Sequence, residues 1–191
     1  MVSVAPKTAL KTTHHMISFT PRIKILFSIG AVLLVAIGLF VALSGTREAE
    51  VTFFEQVAEL SFVDYQGRDV SLETFRGRPL VINSWAAWCP FCREELPDFV
   101  RLQEELGDGL VVIAINRKEP RATSQTYTDG LGISDQIVFL LDETDTLYQM
   151  IGGFSMPETL FVDGEGNLVV HKRGFMDLEE MRTHTKKLFS K

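Results

Sequence analysis

The sequence predicts an α/β fold: a central mixed sheet, mainly parallel, with helices on both faces, preceded by one N-terminal transmembrane helix. Three observations predict it. Apolar runs of strand length at 80–85, 110–115 and 137–141 alternate with helix-patterned segments, the order that builds parallel strands through crossovers. Two later runs, 157–163 and 168–173, flank Gly164-Glu165-Gly166-Asn167 and add an antiparallel hairpin at an edge. Ahead of all these lie 19 residues without a charge, Ile25 to Leu43.

As a helix, that uncharged run would span roughly 28 Å, close to the ~30 Å of a bilayer's hydrocarbon core. A cleaved signal peptide is the rival reading, with Ala42-Leu43-Ser44 resembling a cleavage site, but signal cores are usually shorter. Lys7, Lys11, Arg22 and Lys24 precede the run, and residues 1–43 hold no acidic side chain. The positive-inside rule then places the amino terminus in the cytoplasm and the body outside. The expected divisions are a basic cytoplasmic tail over 1–22, an anchor over 23–43, a linker over 44–58 and a folded domain over 59–191.

Within the domain, Leu60–Tyr65 and Asp69–Leu72 flank Gln66-Gly67-Arg68 and read as a β-hairpin. Pro79 delivers the chain into Leu80-Val81-Ile82-Asn83-Ser84-Trp85, nearly continuous in apolar residues, as in a strand covered on both faces. A helix follows from about Cys89. Pro90 is tolerated in its first turn, and Pro97 lies inside it and should kink it. Leu96, Phe99, Val100, Gln103 and Leu106 share a face of this helix, and Gly107 and Gly109 end it. A polar helix over 120–131, a short one over 144–151 and a last one capped near Asp177 complete the alternation.

The chain has two cysteines in 191 residues, Cys89 and Cys92, spaced C-x-x-C. Two are too few for a disulfide scaffold or a four-cysteine zinc site, and no histidine is spaced to complete a metal site with them. Nor is the body built for nucleic acid. After residue 43 it carries 15 basic against 25 acidic residues, the wrong balance for phosphate. A thiol reacts as its thiolate, and a sulfur at a helix amino terminus meets the positive end of the helix dipole and unpaired N–H groups. Cys89 therefore reads as the exposed attacking thiol. Cys92, one turn along, reads as the more buried thiol that closes or resolves a disulfide. Arg93 stands where C-x-x-C-H haem attachment needs histidine. A two-sulfur Cu(I) site remains an alternative.

The segment Asn83-Ser84-Trp85-Ala86-Ala87-Trp88-Cys89-Pro90-Phe91-Cys92-Arg93-Glu94-Glu95-Leu96-Pro97 resembles the active-site segment of the thioredoxin superfamily. It is most similar to the membrane-anchored TlpA/ResA-like branch, which includes the cytochrome c maturation reductases. The likeness runs from about Leu60 to the carboxyl terminus and takes in Pro157-Glu158-Thr159-Leu160-Phe161-Val162-Asp163. It implies a cis-proline at Pro157 facing the cysteines and a backbone at Met156 that receives a client strand. Trp88 would wall the site, with a packed core aromatic as the alternative, and Pro90 and Phe91 would also contact the client. It further implies that Glu95, one turn past Cys92, tunes the thiols as a proton acceptor. The sequence departs from cytosolic thioredoxins at two places: their buried aspartate is Asn83 here, and their partner lysine falls at Ala114.

The function implied is an extracytoplasmic (periplasmic) thiol–disulfide oxidoreductase, a protein-disulfide reductase, working without a cofactor. Its partners would be exported proteins with cysteine pairs or disulfides, apocytochromes c among them, and a membrane electron donor. A Cu(I) metallochaperone that uses the same dithiol is the alternative from another class. A thiol peroxidase on the same fold is disfavoured, because Ala86 stands where those enzymes have threonine three residues before the cysteine.

Overall fold

The computed structural model describes Gly30, residues 32–39 and residues 51–190. The chain divides into two compact units, 1–49 and 50–191. Of the first unit, Gly30 and residues 32–39 are helical, and the large apolar side chains among them are exposed. No helix among the described residues is long and apolar enough to cross a membrane, and most of the predicted 23–43 anchor lies outside them.

The second unit is built on one seven-stranded sheet. Its strands are β1 (Ser61–Asp64), β2 (Asp69–Ser71), β3 (Leu80–Trp85), β4 (Val111–Arg117), β5 (Val138–Asp142), β6 (Glu158–Val162) and β7 (Leu168–Arg173), in the order β2-β1-β5-β4-β3-β6-β7. Only β5, β4 and β3 run parallel; β1, β2, β6 and β7 join antiparallel. The sheet is thus mixed, less parallel than the alternation of elements suggests, because the first hairpin also joins it, against β5. That hairpin turns at Gly67, whose φ of 80° suits a residue without a Cβ.

Period-two alternation along the strands feeds two cores. From β3, Val81 and Trp85 face α2 (Pro90–Leu106), α3 (Arg121–Leu131) and α5 (Leu178–Lys186) in one core; Leu80 and Ile82 enter the other, against α1 (Phe53–Val57) and α4 (Thr146–Met150). The domain therefore begins earlier than 59. Thr52 and Glu55 form a reciprocal capping box that starts α1, and Phe54, Val57 and Ala58 are buried. The capping pattern lies inside the predicted 44–58 linker.

On α2, Leu102 is buried and Leu106 half-exposed, so the apolar face turns one step earlier than predicted. Gln103 instead ties the helix end to β4: its amide donates to the carbonyls of Gly107 and Leu110, and its oxygen accepts the Val112 N–H at 2.8 Å. The helix runs unbroken through Pro97. Asp177 caps α5 as predicted, accepting from the Glu180 N–H.

Candidate active site: a buried dithiol at a helix start

Strand β3 ends at Trp85, and a short loop leads to Cys89, the residue that caps α2 with extended backbone; Pro90 is the first helical residue. The missing N–H of Pro90 falls where a helix has no internal acceptor to lose. The loop is held from outside the motif. Glu119 accepts the Ala87 N–H and the Asn116 side-chain N–H, each at 2.7 Å. Glu119 was not anticipated, since nothing local marks a carboxylate 32 residues beyond Ala87 as its partner.

Both cysteines are free thiols, and both are buried, Cys89 at 2% and Cys92 at 1% exposure. The expected contrast between an exposed and a buried sulfur is therefore small. Cys89 sits in the same apolar cluster as Trp85, Leu96 and Phe99, with Ala87, Tyr127 and Met156 packed against it. Burial pushes the Cys92 thiol well above its ordinary range; its hydrogen bond with Cys89 and the charges of Cys89 and Glu95 push the same way, and a backbone hydrogen bond from Ala86 opposes them. Cys92 is thus kept protonated until something removes its proton.

Glu95 lies one turn beyond Cys92 and is 1% exposed, with neither carboxylate oxygen hydrogen-bonded to any described residue. Burial pushes its pKa up to about 9; Lys172 draws it down, and Glu180 and Asp98 raise it. Near pH 7 it is therefore a neutral carboxylic acid, and it becomes the proton acceptor expected of it only as the pH approaches that value.

The Met156–Pro157 peptide is cis, with Pro157 buried and Met156 half-buried. Trp88 is 64% exposed and Phe91 is exposed, its ring 6.2 Å from Phe175; Pro90 is exposed as well. Trp88 is thus not a packed core aromatic; the buried indole is Trp85, set against Tyr127 and Phe139.

Glu158, directly after Pro157, was also missed. It is buried and accepts the Phe154 and Ser155 N–H groups at 2.8 and 2.9 Å, and its other oxygen lies 2.7 Å from His171 Nε2. Burial alone would raise its pKa, but these backbone donors and His171 outweigh it and hold the carboxyl below its usual range. Asn83 is buried and donates to Thr159 at 2.9 Å, and Ala114 lies beside it in register, so neither supplies a charge. Among the described residues no three His, Cys, Asp or Glu side chains are grouped to hold a metal ion.

Residues 54–171 match the model of the AhpC/TSA family. The chain belongs to this family. Within it, the chain is 30% identical over 125 residues to the thiol-disulfide oxidoreductase ResA of Halalkalibacterium halodurans, covering 64% of this chain and 70% of that one. It is 31% identical over 114 residues to the thiol:disulfide interchange protein DsbE of Pseudomonas aeruginosa, covering 60% of this chain and 61% of that one. A secreted Mycobacterium tuberculosis disulfide oxidoreductase homologous to E. coli DsbE superposes with a TM-score of 0.63 at 15% identity, covering 70% and 98% of the two chains. That last likeness concerns the thioredoxin-like fold alone. Among AhpC/TSA members, the chain stands with the thiol–disulfide oxidoreductases of ResA/DsbE type. Ala86 fits that placement, for it offers the cysteines a backbone hydrogen bond and no hydroxyl.

Proposed function

We propose that the chain is a membrane-tethered, extracytoplasmic reductant that uses the Cys89/Cys92 dithiol on disulfides of exported proteins, apocytochromes c among the candidates. The observation that carries this reading is the dithiol at the start of α2 with the buried acid Glu95 one turn behind it.

In the reductive direction, the Cys89 thiolate attacks one sulfur of the client disulfide. The client S–S bond breaks, its second sulfur leaves as a thiolate and is protonated, and a mixed disulfide joins Cys89 to the client. In the fraction of molecules whose Glu95 is ionised, a fraction that grows toward pH 9, Cys92 then gives its proton to the Glu95 carboxylate and attacks the Cys89 sulfur. The mixed disulfide breaks, the Cys89–Cys92 bond forms, and the client leaves fully reduced. Two electrons have passed from the dithiol to the client, and a membrane dithiol donor restores the pair by the reverse exchange. In that reverse step the neutral Glu95 acid protonates Cys92 as it leaves. Met156 and Pro157 present backbone to the client strand, and Trp88, Pro90 and Phe91 flank it.

The tether rests on the uncharged run 25–43 and the four basic residues before it, with residues 1–22 in the cytoplasm, 23–43 as the anchor and the domain beyond the membrane. A trapping experiment tests the function. With Cys92→Ala the resolving step is lost, so exported cysteine-pair proteins should remain disulfide-linked to Cys89. Recovery of no linked protein from cells that express the variant in its native compartment would defeat the reading. Cu(I) bound stoichiometrically against a competing chelator would favour the metallochaperone instead.

A further inference from the structure

A row of residues runs in register across four strands beneath α2: Ala114 on β4, Asn83 on β3, Thr159 on β6 and Lys172 on β7. Asn83 lies between Val81 and Trp85, which face the α2 core, so the row ends in a lysine on the face that α2 and α5 cover. The Lys172 ammonium is 2.6 Å from the Glu180 carboxylate of α5, and Glu180 also lies 3.3 Å from His184 Nε2. The helix that carries Glu180 is tied to α2 elsewhere, where Arg182 pairs with Glu105. Buried in the same core, Glu95 has two oxygens with no hydrogen-bond partner among the described residues, so distant charges act on it unopposed by local donors.

We propose that Lys172 and Glu180 are positioning residues for the dithiol chemistry, an ion pair behind the site whose two opposed charges adjust the hold that burial gives Glu95 on its proton, and with it the use of Cys92. The inference rests on the role given to Glu95 above.

Among the described residues, charged and titratable groups that act with Glu95 come from three elements. From α2 itself come Cys92 and Asp98, the latter already paired with Arg101 at 2.8 Å. From β7 comes Lys172, whose charge favours the carboxylate, and from α5 comes Glu180, whose charge favours the acid. His184 acts on Glu180, and Lys187 lies 3.4 Å from the other nitrogen of that ring. Within the pair the two effects oppose each other, so removing either partner unmasks the other. Lys172→Met leaves the Glu180 anion with only His184 beside it among the described residues; Glu180→Gln leaves the Lys172 cation without its carboxylate.

The test follows the Glu95 carboxyl through a ¹³C NMR titration of the reduced full-length protein, with Glu95→Gln to assign the signal, alongside the pH profile of thiol–disulfide exchange. Lys172→Met should move the inflection to higher pH and Glu180→Gln to lower pH, each by roughly half a unit to one unit, less than a charge in direct contact would give. Lys172→Arg should restore the wild-type position, and the exchange profile should shift in step. A merely structural ion pair predicts otherwise, because both substitutions break the same contact and would loosen the core in the same direction. Shifts of the same sign, or none, overturn the inference. If Glu95→Gln leaves the exchange profile intact, the role of Glu95 itself falls. If Glu95→Gln flattens the profile but the paired substitutions do not diverge, only the inference about Lys172 and Glu180 falls.

Discussion

At the scale of single residues, two buried glutamates carry opposite burdens. Among the described residues Glu95 has no donors and is kept neutral; Glu158 has several and is kept ionised. Client reduction through Cys92 should therefore speed up about tenfold per pH unit from neutrality toward the Glu95 value of about 9, as its carboxylate fraction grows. Glu95→Gln should flatten that limb, and stopped-flow exchange rates across pH would check it. Glu158→Ala should instead release the Phe154 and Ser155 N–H groups and cost on the order of 3 kcal/mol, since charged hydrogen bonds are worth about 1.5–3 each. In kinetics it should raise the KM for a client peptide more than it lowers kcat, because the loop it holds leads into Met156, where the proposed function seats the client, and holds neither sulfur. The burial that sets each role is not legible in sequence. The resemblance marks Glu95 as an acid near thiols, but burial without a partner is a property of the packed core. Glu158 reads as an ordinary strand residue beside a proline until His171 of β7 is seen against it.

At the scale of elements, the strand-to-helix unit is what the sequence states most clearly. β3 is continuous in apolar residues, C-x-x-C follows directly, and Pro90 marks the helix start within one residue. The late hairpin and the last helix are equally legible through Gly166, Asn167 and Asp177. What stays hidden depends on distant partners. Glu119 is recognisable as the clasp of the active-site loop only once β4 lies beside β3. Glu119→Ala should leave the Ala87 N–H and the Asn116 amide without their acceptor and cost about 1–3 kcal/mol, measured by urea unfolding. α1 falls inside the predicted linker because five residues are too short for helical periodicity to declare itself, although its capping box is local. If α1 belongs to the domain, Phe54→Ala should cost about 3–5 kcal/mol, as for a buried aromatic. A change within about 0.5 kcal/mol would return 53–58 to the linker.

For the whole molecule, the same two carboxyls shape stability against pH. Glu158 has a folded pKa below its unfolded value, so its contribution is present above the ordinary glutamate range and lost as pH falls through the folded value. Glu95 has a raised folded pKa, so the folded state binds the extra proton and stability declines as pH climbs from the ordinary range toward about 9. By pH 7 that decline is on the order of 3 kcal/mol. Unfolding free energy should therefore peak in mildly acid solution, and Glu95→Gln should extend the plateau to alkaline pH. Thermal unfolding of both proteins from pH 4 to pH 9 would check this.

The claim that most depends on the whole assembly is the direction of electron flow. Potentials of C-x-x-C proteins span from about −270 to −120 mV, a difference of roughly 7 kcal/mol. The decisive measurement is the equilibrium potential of the Cys89/Cys92 couple at pH 7 against glutathione, read on the full-length protein. A reductant predicts a value toward the −270 mV end of that span. A value near −120 mV would make the protein an oxidant and contradict the account.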